Sequence, residues 1–344
     1  IRSCLVGSEM CIRDRLEPGR HLAHGVAKNR FDTLGGADFV SRLVVGGTIG
    51  IDTIRAPWGS ADRVLGGSAS YAATCAALLS DGVELVGAVG EDFPSAHTDV
   101  LTAIGVGLDG LDVRPGEETF QWGGCYGENP DQRTTDFTIL GVLEGAPAPV
   151  PASVAGSPKL LLGNSHPAHQ SALLDAMPSV DLCVADTMGL WIDVARPELE
   201  SLLARVHGVV MNEEEAASFT GAPSLVDAAQ QLLRLGPNFA VVKKGQHGCI
   251  IASRDGLSVL PAWPSLAAEV RDPTGAGDTF VGAMMACLPS TACPSLADLR
   301  DAAALGTVAA SFTIADFATS ALHKAGKDGI HGRLNGFREM CNFS

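Results

Sequence analysis

The stretch Asp272-Pro273-Thr274-Gly275-Ala276-Gly277-Asp278-Thr279-Phe280 decides how this chain of 344 residues is to be interpreted. Pro273 restricts the residue before it to extended backbone, so the stretch is entered from a strand or a loop. The three small residues at its centre expose backbone N–H groups with little side-chain obstruction. Apolar residues at helical spacing follow over Ala276–Cys287. A small-residue loop that opens a helix directs N–H groups and the positive end of the helix dipole to one point, which predicts a phosphate site.

Asp278 lies within this predicted turn. A carboxylate beside an anion site is electrostatically unfavourable unless it takes up a proton during the reaction. A general base that deprotonates a hydroxyl group as it attacks a phosphoryl group meets that requirement. The alternative interpretation of Asp278 is a helix N-cap, a position at which aspartate is favoured.

The composition is that of a globular protein with many turns, long enough for one large domain or two modest ones. Hydrophobic residues make up 46% of the chain, which also has 40 glycines and 19 prolines. The net charge of −15 argues against a nucleic-acid binder, which needs a basic face. No apolar run approaches the roughly 20 residues of a membrane span. The nine cysteines form no CxxC pair and predict free thiols in the cytoplasm.

The N-terminal part of the sequence differs from the rest. Ile1–Arg15 resembles translated sequencing-adapter DNA, and the residues that follow are polar and irregular. We therefore expect residues 1–38 to be an artefactual or disordered extension, and residues 39–344 to form the functional domain.

From residue 42 onward, short apolar runs alternate with segments of helical pattern. Lys159–Leu162 and Gly208–Met211 are typical of buried strands, whereas Ser224–Leu235 and Leu296–Phe312 are typical of helices. Repeated strand–helix units predict a mostly parallel sheet covered on both faces. Further strand-like segments within about 48–65 and 115–140 predict a small additional β layer.

The stretch that contains Asp278 resembles the second signature of the PfkB (ribokinase-like) carbohydrate kinase family, and weaker similarity extends over roughly residues 42–322. The resemblance implies an α/β fold, a ribokinase-like three-layer α/β/α sandwich with a mostly parallel central sheet and a small β-sheet lid. It implies ATP and Mg²⁺ as cofactors, Asp278 as catalytic base, and the amides of Gly275, Ala276 and Gly277 as an anion hole. It leaves open a monovalent-cation requirement and a homodimer formed through the lids.

The resemblance also assigns residues to the nucleotide. Asn212 and Glu215 match the N-x-x-E of the family, which organises Mg²⁺ and its waters, and oxygen ligands acting through water suit that ion. The residues alone are equally compatible with an acidic helix N-terminus. Four further residues correspond to nucleotide-contacting positions: Lys243, Gly245, Gly248 and Thr274. For Lys243, an ordinary surface lysine is the alternative.

On the acceptor side, the resemblance implies that Asp52 accepts hydrogen bonds from sugar hydroxyl groups and that Gly66 and Gly67 pack against the sugar. Ribokinases continue this double glycine with Lys-Gly-Ala-Asn, whereas this chain has Ser68 and Tyr71 at the lysine and asparagine positions. We expect both residues to contact the substrate. The departure makes ribose a doubtful acceptor and leaves a nucleoside or a smaller sugar open.

Three functions therefore remain after the sequence analysis: a kinase for a sugar or sugar-like alcohol, a nucleoside kinase, and a non-catalytic sensor of sugars or nucleotides on the same fold. A Rossmann dehydrogenase is disfavoured, because Gly46-Gly47-Thr48-Ile49-Gly50 does not provide G-x-G-x-x-G after the first strand. Small molecules are the expected partners, and nucleic acid and membranes are not.

Overall fold

The computed structural model describes residues 43–127 and 133–341. Its larger sheet has nine strands, and all neighbours are parallel except among the last three strands at one edge, which pair antiparallel. In spatial order, the strands are β13 (Gly256–Leu260), β12 (Cys249–Ser253), β11 (Phe239–Lys243), β10 (Gly208–Asn212), β9 (Leu182–Asp186), β8 (Lys159–Leu162), β1 (Leu43–Gly46), β4 (Val83–Gly90) and β5 (Val106–Arg114). Because consecutive residues of its inner strands are apolar, the sheet is buried on both faces.

Ten helices accompany the strands in the described residues. They are α1 (Ser68–Leu79), α2 (Ser95–Ala103), α3 (Pro167–Asp175), α4 (Gly189–Val194), α5 (Arg196–Leu203), α6 (Glu213–Thr220), α7 (Leu225–Arg234), α8 (Ala276–Cys287), α9 (Leu296–Thr313) and α10 (Ser320–Met340). Two separate apolar cores lie on opposite faces of the sheet. Leu43 and Val45 belong to the core that contains α1, α8, α9 and α10, whereas Val44 belongs to the core that contains α3, α5, α6 and α7. The predicted three-layer α/β/α arrangement is confirmed.

A second, smaller sheet is formed by four strands in the order β3, β2, β6, β7. They are β2 (Gly50–Ala56), β3 (Gly59–Gly66), β6 (Phe120–Tyr126) and β7 (Arg133–Ile139). These strands come from the two stretches, about 48–65 and 115–140, in which the sequence predicted an additional β layer. We call this sheet the lid sheet.

The C-terminal helix was not predicted. Helix α10 carries four glycines, which weaken the helical signal, and its backbone is kinked at Gly326. Its buried face, which includes Leu322, Ile330, Leu334 and Phe337, packs into the core on the α8 side of the sheet. Tertiary burial therefore stabilises a helix that local propensity does not indicate. The short helix α4 was also missed.

The predicted N-terminal extension, residues 1–38, lies outside the described residues. Within the described part of the chain, no helix is both long and apolar enough to cross a membrane.

Helix α8, which begins at the predicted phosphate loop, packs closely between two neighbours. A methyl group on Gly282 would come within 2.3 Å of the Ala72 carbonyl oxygen of α1. Across the other interface, a methyl group on Gly306 of α9 would come within 2.7 Å of the Phe280 carbonyl oxygen. The absence of side chains at both positions lets the backbones approach and fixes the depth of α8 in the core.

The C-terminal end of α8 is held by a buried lysine from β8. The Lys159 ammonium donates to the carbonyl oxygens of Met285 (2.9 Å) and Leu288 (3.3 Å). A cation at the C-terminal end of a helix is favourable for the helix dipole. Burial nevertheless lowers the pKa of Lys159 from 10.5 to about 8.

We predict that Gly282→Ala destabilises the fold by about 1–3 kcal/mol, because the new methyl group overlaps backbone that cannot move independently. Urea unfolding followed by circular dichroism measures the change. Gly332→Ala is the matched control: a methyl group there meets no atom within 4 Å, so this α10 variant should be neutral or stabilised by up to about 1 kcal/mol. Equal effects of the two substitutions would contradict the close approach of α8 and α1.

We also predict a pH-dependent difference in stability between the wild type and Lys159→Met. Between pH 8 and 10.5 the unfolded chain binds more protons at Lys159 than the folded chain, so this residue makes the wild type more stable as pH rises through that range. The slope is at most about 1.4 kcal/mol per pH unit. Urea unfolding of both proteins at several pH values isolates the contribution of Lys159, because other groups titrate in both. A difference that does not vary with pH would contradict the lowered pKa.

Candidate active site

The phosphate loop, residues 272–278, is ordered by a buried carboxylate. Asp272 is fully buried, and its Oδ1 accepts from the Thr274 amide (3.0 Å) while its Oδ2 accepts from the Ala318 amide (3.3 Å). Gly275 then caps α8 with φ +74°, a left-handed conformation that favours glycine. Asp278 is the third residue of the helix, so the interpretation of Asp278 as the N-cap is wrong.

Tyr71 supports this loop from α1. A Cβ atom on Gly275 would lie 2.3 Å from Cδ1 of the Tyr71 ring, so the ring is packed directly against the loop. The tyrosine is only 1% exposed. Burial raises the pKa of Tyr71 well above its usual value, and the carboxylates of Asp52, Asp272 and Asp278 raise it further. Tyr71, which the sequence analysis assigned to the substrate, is thus buried against the loop, near the carboxylates of Asp52, Asp272 and Asp278.

A largely buried ion pair between the ends of two central strands lies next to the N-terminus of α8. Lys243, at the end of β11, places its Nζ atom 3.3 Å from Oδ2 of Asp186, at the end of β9. The same Nζ lies 3.0 Å from where a Cβ on Gly277 would be. Burial disfavours the charged lysine, but Asp186, Glu215 and Asp278 outweigh burial and raise the pKa of Lys243. The ammonium group is therefore held charged beside the N-terminus of α8, and the surface-lysine interpretation is wrong.

Asn212 and Glu215 meet at the end of β10, where α6 begins. The Asn212 side chain accepts from the Glu215 amide and the Glu215 carboxylate accepts from the Asn212 amide, both at 2.8 Å, in a capping box. Burial raises the pKa of Glu215 to about 7; Lys243 opposes this, and the Asp186 and Asp278 carboxylates add to it. The N-x-x-E spacing that resembles the magnesium motif of the family is also the spacing of this capping box.

The described residues around Asn212 and Glu215 offer few side chains that could bind a metal ion directly. No group of three His, Cys, Asp or Glu side chains suited to a metal ion occurs among residues 43–127 and 133–341. Asn212 and Glu215 each use one side-chain oxygen as an acceptor in the capping box. The two residues therefore fit Mg²⁺ better as ligands that act through water than as ligands that coordinate the ion directly. Mg²⁺ commonly keeps several waters and binds substrate phosphates as well.

The two glycines expected near the nucleotide lie in the turn between β11 and β12. Gly245 and Gly248 both have positive φ, +49° and +83°. Gly248 is required by packing, since a Cβ there would lie 1.9 Å from the Leu260 carbonyl oxygen. This turn follows Lys243 directly and thus lies at the same edge of the sheet as the phosphate loop.

The predicted acceptor residues gather where the lid sheet meets α1. The Asp52 carboxylate lies against Gly66, where a Cβ would be 2.1 Å from Asp52 Cγ. Gly67 has φ +87° and precedes α1. The Ser68 hydroxyl is 2.9 Å from the Thr48 hydroxyl and donates to the Asn164 carbonyl oxygen at 3.0 Å. Ser68 therefore connects segments of the protein through its hydroxyl group.

An aromatic pair adjoins this acceptor side. Trp191 of α4 donates from Nε1 to Oδ1 of Asn164 (2.8 Å), and its ring packs edge-on to His166 with centroids 5.0 Å apart. Both rings are partly exposed. The sequence analysis did not identify Trp191, because its helix is too short to give a periodic signal.

The lid sheet contacts the phosphate loop directly. The hydroxyl oxygen of Tyr126, the last residue of β6, lies 2.8 Å from the Thr274 hydroxyl oxygen. The sequence carried no sign of this contact, since the two residues are 148 positions apart.

The structure thus brings together most of the residues that the sequence singled out. Asp278 interacts electrostatically with Tyr71 on the acceptor side and with Lys243 and Glu215 on the nucleotide side. Tyr126 is an additional member that the predicted site lacked.

Comparison with known proteins identifies similar sequences and structures. The model of the pfkB family carbohydrate kinases matches residues 152–325. A cytidine kinase of Thermococcus kodakarensis is 31% identical over 249 residues, which cover 71% of this chain and 87% of that protein. A fructokinase of Klebsiella pneumoniae is 36% identical over 138 residues, 39% of this chain and 44% of that protein.

Among solved structures, ribokinase of Arabidopsis thaliana complexed with ribose and ATP has the same fold. It superposes with a TM-score of 0.69 at 21% identity and covers 86% of this chain and 99% of that chain. The family model, the curated relatives and the fold lead to one conclusion: the chain belongs to the pfkB family of carbohydrate kinases.

Proposed function

We propose that the protein transfers the γ-phosphoryl group of ATP to a hydroxyl group, expected to be a primary alcohol, of a sugar or sugar-like acceptor. The observation that carries the proposal is the position of Asp278. It lies in the first turn of α8, where it interacts electrostatically with Tyr71 and with the charged Lys243. A carboxylate placed between an alcohol and a phosphoryl group is suited to general-base catalysis.

The phosphate loop would act on the transferring group. The amides of Gly275, Ala276 and Gly277 stand at the N-terminus of α8, where backbone donors and the helix dipole favour developing negative charge. The Lys243 ammonium, beside Gly277, adds a full positive charge. Asp186 holds this ammonium and limits its movement. Thr274, Gly245 and Gly248 complete the proposed nucleotide side.

The acceptor would bind between the lid sheet and α1. Asp52 would accept hydrogen bonds from acceptor hydroxyl groups, with Gly66 and Gly67 leaving space for close approach. Asp278 would then take the proton from the attacking hydroxyl oxygen as the new P–O bond forms and the bond to ADP breaks. The lid sheet would exclude water, which would otherwise compete as an acceptor.

Asn212 and Glu215 would hold Mg²⁺ through water. When bound, the ion would withdraw charge from the phosphate oxygens. ATP as phosphoryl donor is supported by the solved ribokinase of the same fold, which was complexed with ATP.

A nucleoside acceptor is the second candidate, and two observations favour it. A cytidine kinase is 31% identical over 71% of this chain. In addition, Trp191 and His166 present partly exposed rings near the acceptor side, and aromatic rings can stack on a nucleobase. Every catalytic residue named above would serve either acceptor.

The experiment that tests the proposal is an ADP-release assay with Mg·ATP and a panel of sugars, sugar acids and nucleosides. Turnover with a sugar supports the first candidate, and turnover with cytidine or another nucleoside supports the second. Binding of ATP without turnover across the panel would contradict the kinase proposal and favour a sensing function.

We predict that Asp278→Asn lowers kcat by about 10²–10⁴-fold, because the amide cannot accept the acceptor proton. ATP affinity, measured by calorimetry, should stay close to that of the wild type. Asp227→Asn is the matched control, since Asp227 is also the third residue of a helix, α7, far along the chain from the phosphate loop. If turnover of Asp278→Asn remains near normal, Asp278 is not the base.

We further predict that Lys243→Met lowers kcat/KM for ATP by roughly 10- to 100-fold, through loss of a charge-assisted contact. Lys244→Met, one residue further along the chain, should have little effect. Because Lys243→Met leaves Asp186 buried without its partner, the double variant Lys243→Met/Asp186→Asn separates folding from catalysis. A double variant with restored stability and normal kcat/KM would exclude a contact between Lys243 and phosphate.

A further inference from the structure

Tyr126 stands at the junction between the lid sheet and the phosphate loop. It ends β6, is 4% exposed, and shares a hydrogen bond of 2.8 Å between its hydroxyl group and that of Thr274. Thr274 directly precedes Gly275, whose left-handed backbone starts α8. A displacement of the Thr274 side chain would therefore occur next to the backbone amides of the proposed anion hole.

Two further contacts join the lid sheet to the segments that flank the loop. Trp58, in the turn between β2 and β3, donates from Nε1 to the Arg271 carbonyl oxygen at 2.7 Å. Beside it, Gly59 lies close to Phe317, since a Cβ on Gly59 would be 3.1 Å from the Phe317 ring. The lid sheet thus contacts the loop region from the β2–β3 connection and from the end of β6.

The acceptor carboxylate belongs to the same sheet. Asp52 lies on β2, which pairs in parallel with β6, and its register partner is Trp122. Tyr126 follows four residues later on β6. An acceptor bound to Asp52 would therefore contact β2, the strand that is hydrogen-bonded to the Tyr126 strand, β6.

The geometry points to Tyr126 as a positioning residue: its hydrogen bond to Thr274 couples the lid sheet, and so the acceptor site, to the phosphate loop. The effect on catalysis that we infer for this contact rests on the proposed function. The contact aligns the anion hole when the lid sheet is in place, so its loss should affect the reacting geometry more than the binding of either substrate.

Tyr126→Phe removes one oxygen atom and retains the buried ring. We expect kcat for acceptor phosphorylation to fall by roughly 2- to 10-fold, the range for a single hydrogen bond, with a smaller change in KM for the acceptor. Thr274→Val should lower kcat at least as much, since it removes the same contact and a residue of the proposed nucleotide side, and the double variant should be no worse than Thr274→Val. Additive losses, or full activity of Tyr126→Phe, would overturn the inference.

Hydrogen exchange of the ligand-free protein tests the coupling without any need for turnover. Because coupling is reciprocal, Tyr126→Phe should speed exchange of amides in residues 274–279, and Thr274→Val should speed exchange in β6. Arg55→Gln is the matched lid variant: it breaks the exposed Arg55–Asp136 pair within the lid sheet and should leave exchange in the loop unchanged. Unchanged loop exchange in Tyr126→Phe, or equal acceleration by Arg55→Gln, would overturn the inference.

The two measurements separate this inference from the proposed function. A wild type without turnover on any acceptor would contradict the kinase proposal, whereas the exchange data would still decide whether Tyr126 couples the two parts.

Discussion

The close contact between Gly275 and the ring of Tyr71 is the constraint on which the site depends. With no side chain and a left-handed backbone, Gly275 lets α8 begin directly above a buried aromatic ring. Any larger residue would separate α8 from α1 and displace Asp278 with it. The glycine contacts along α8, at Gly282 and from Gly306 of α9, continue the same packing along the helix. The position of the proposed base is thus set by backbone packing over the whole helix.

The electrostatics of the site follow from bringing several carboxylates into a small buried region. Asp52, Asp186, Glu215, Asp272 and Asp278 all converge near the N-terminus of α8. In a chain with a net charge of −15, Lys243 places a cation among three of these groups, Asp186, Glu215 and Asp278. Burial alone would favour a neutral lysine, so the charge of Lys243 depends on its acidic neighbours. In return, the lysine makes it less costly to keep those neighbours ionised.

The lid sheet contacts the rest of the protein near both proposed substrate sites. Its strand β2 carries Asp52, which faces the double glycine before α1. Its strand β6 ends in Tyr126, which reaches the phosphate loop. One small sheet therefore contacts both proposed substrate sites, and this provides a structural route by which acceptor binding and phosphoryl transfer can be linked.

The sequence by itself determined the features that arise from local structure. Alternating strands and helices predicted the three layers, the small residues before Asp278 predicted the start of α8, and the Asn212–Glu215 spacing placed both residues at one helix terminus. In each case the interacting groups are within a few residues of each other, so the pattern is visible in the chain. Only the tertiary structure decided that Lys243 pairs with Asp186, 57 positions away, that Tyr126 bonds to Thr274, and that Tyr71 is buried under Gly275. It also decided that the glycine-containing segment Ser320–Met340 is helical, because burial against the core outweighs its weak local propensity. These contacts depend on which strands become neighbours and how deeply each helix packs, and no local pattern specifies that.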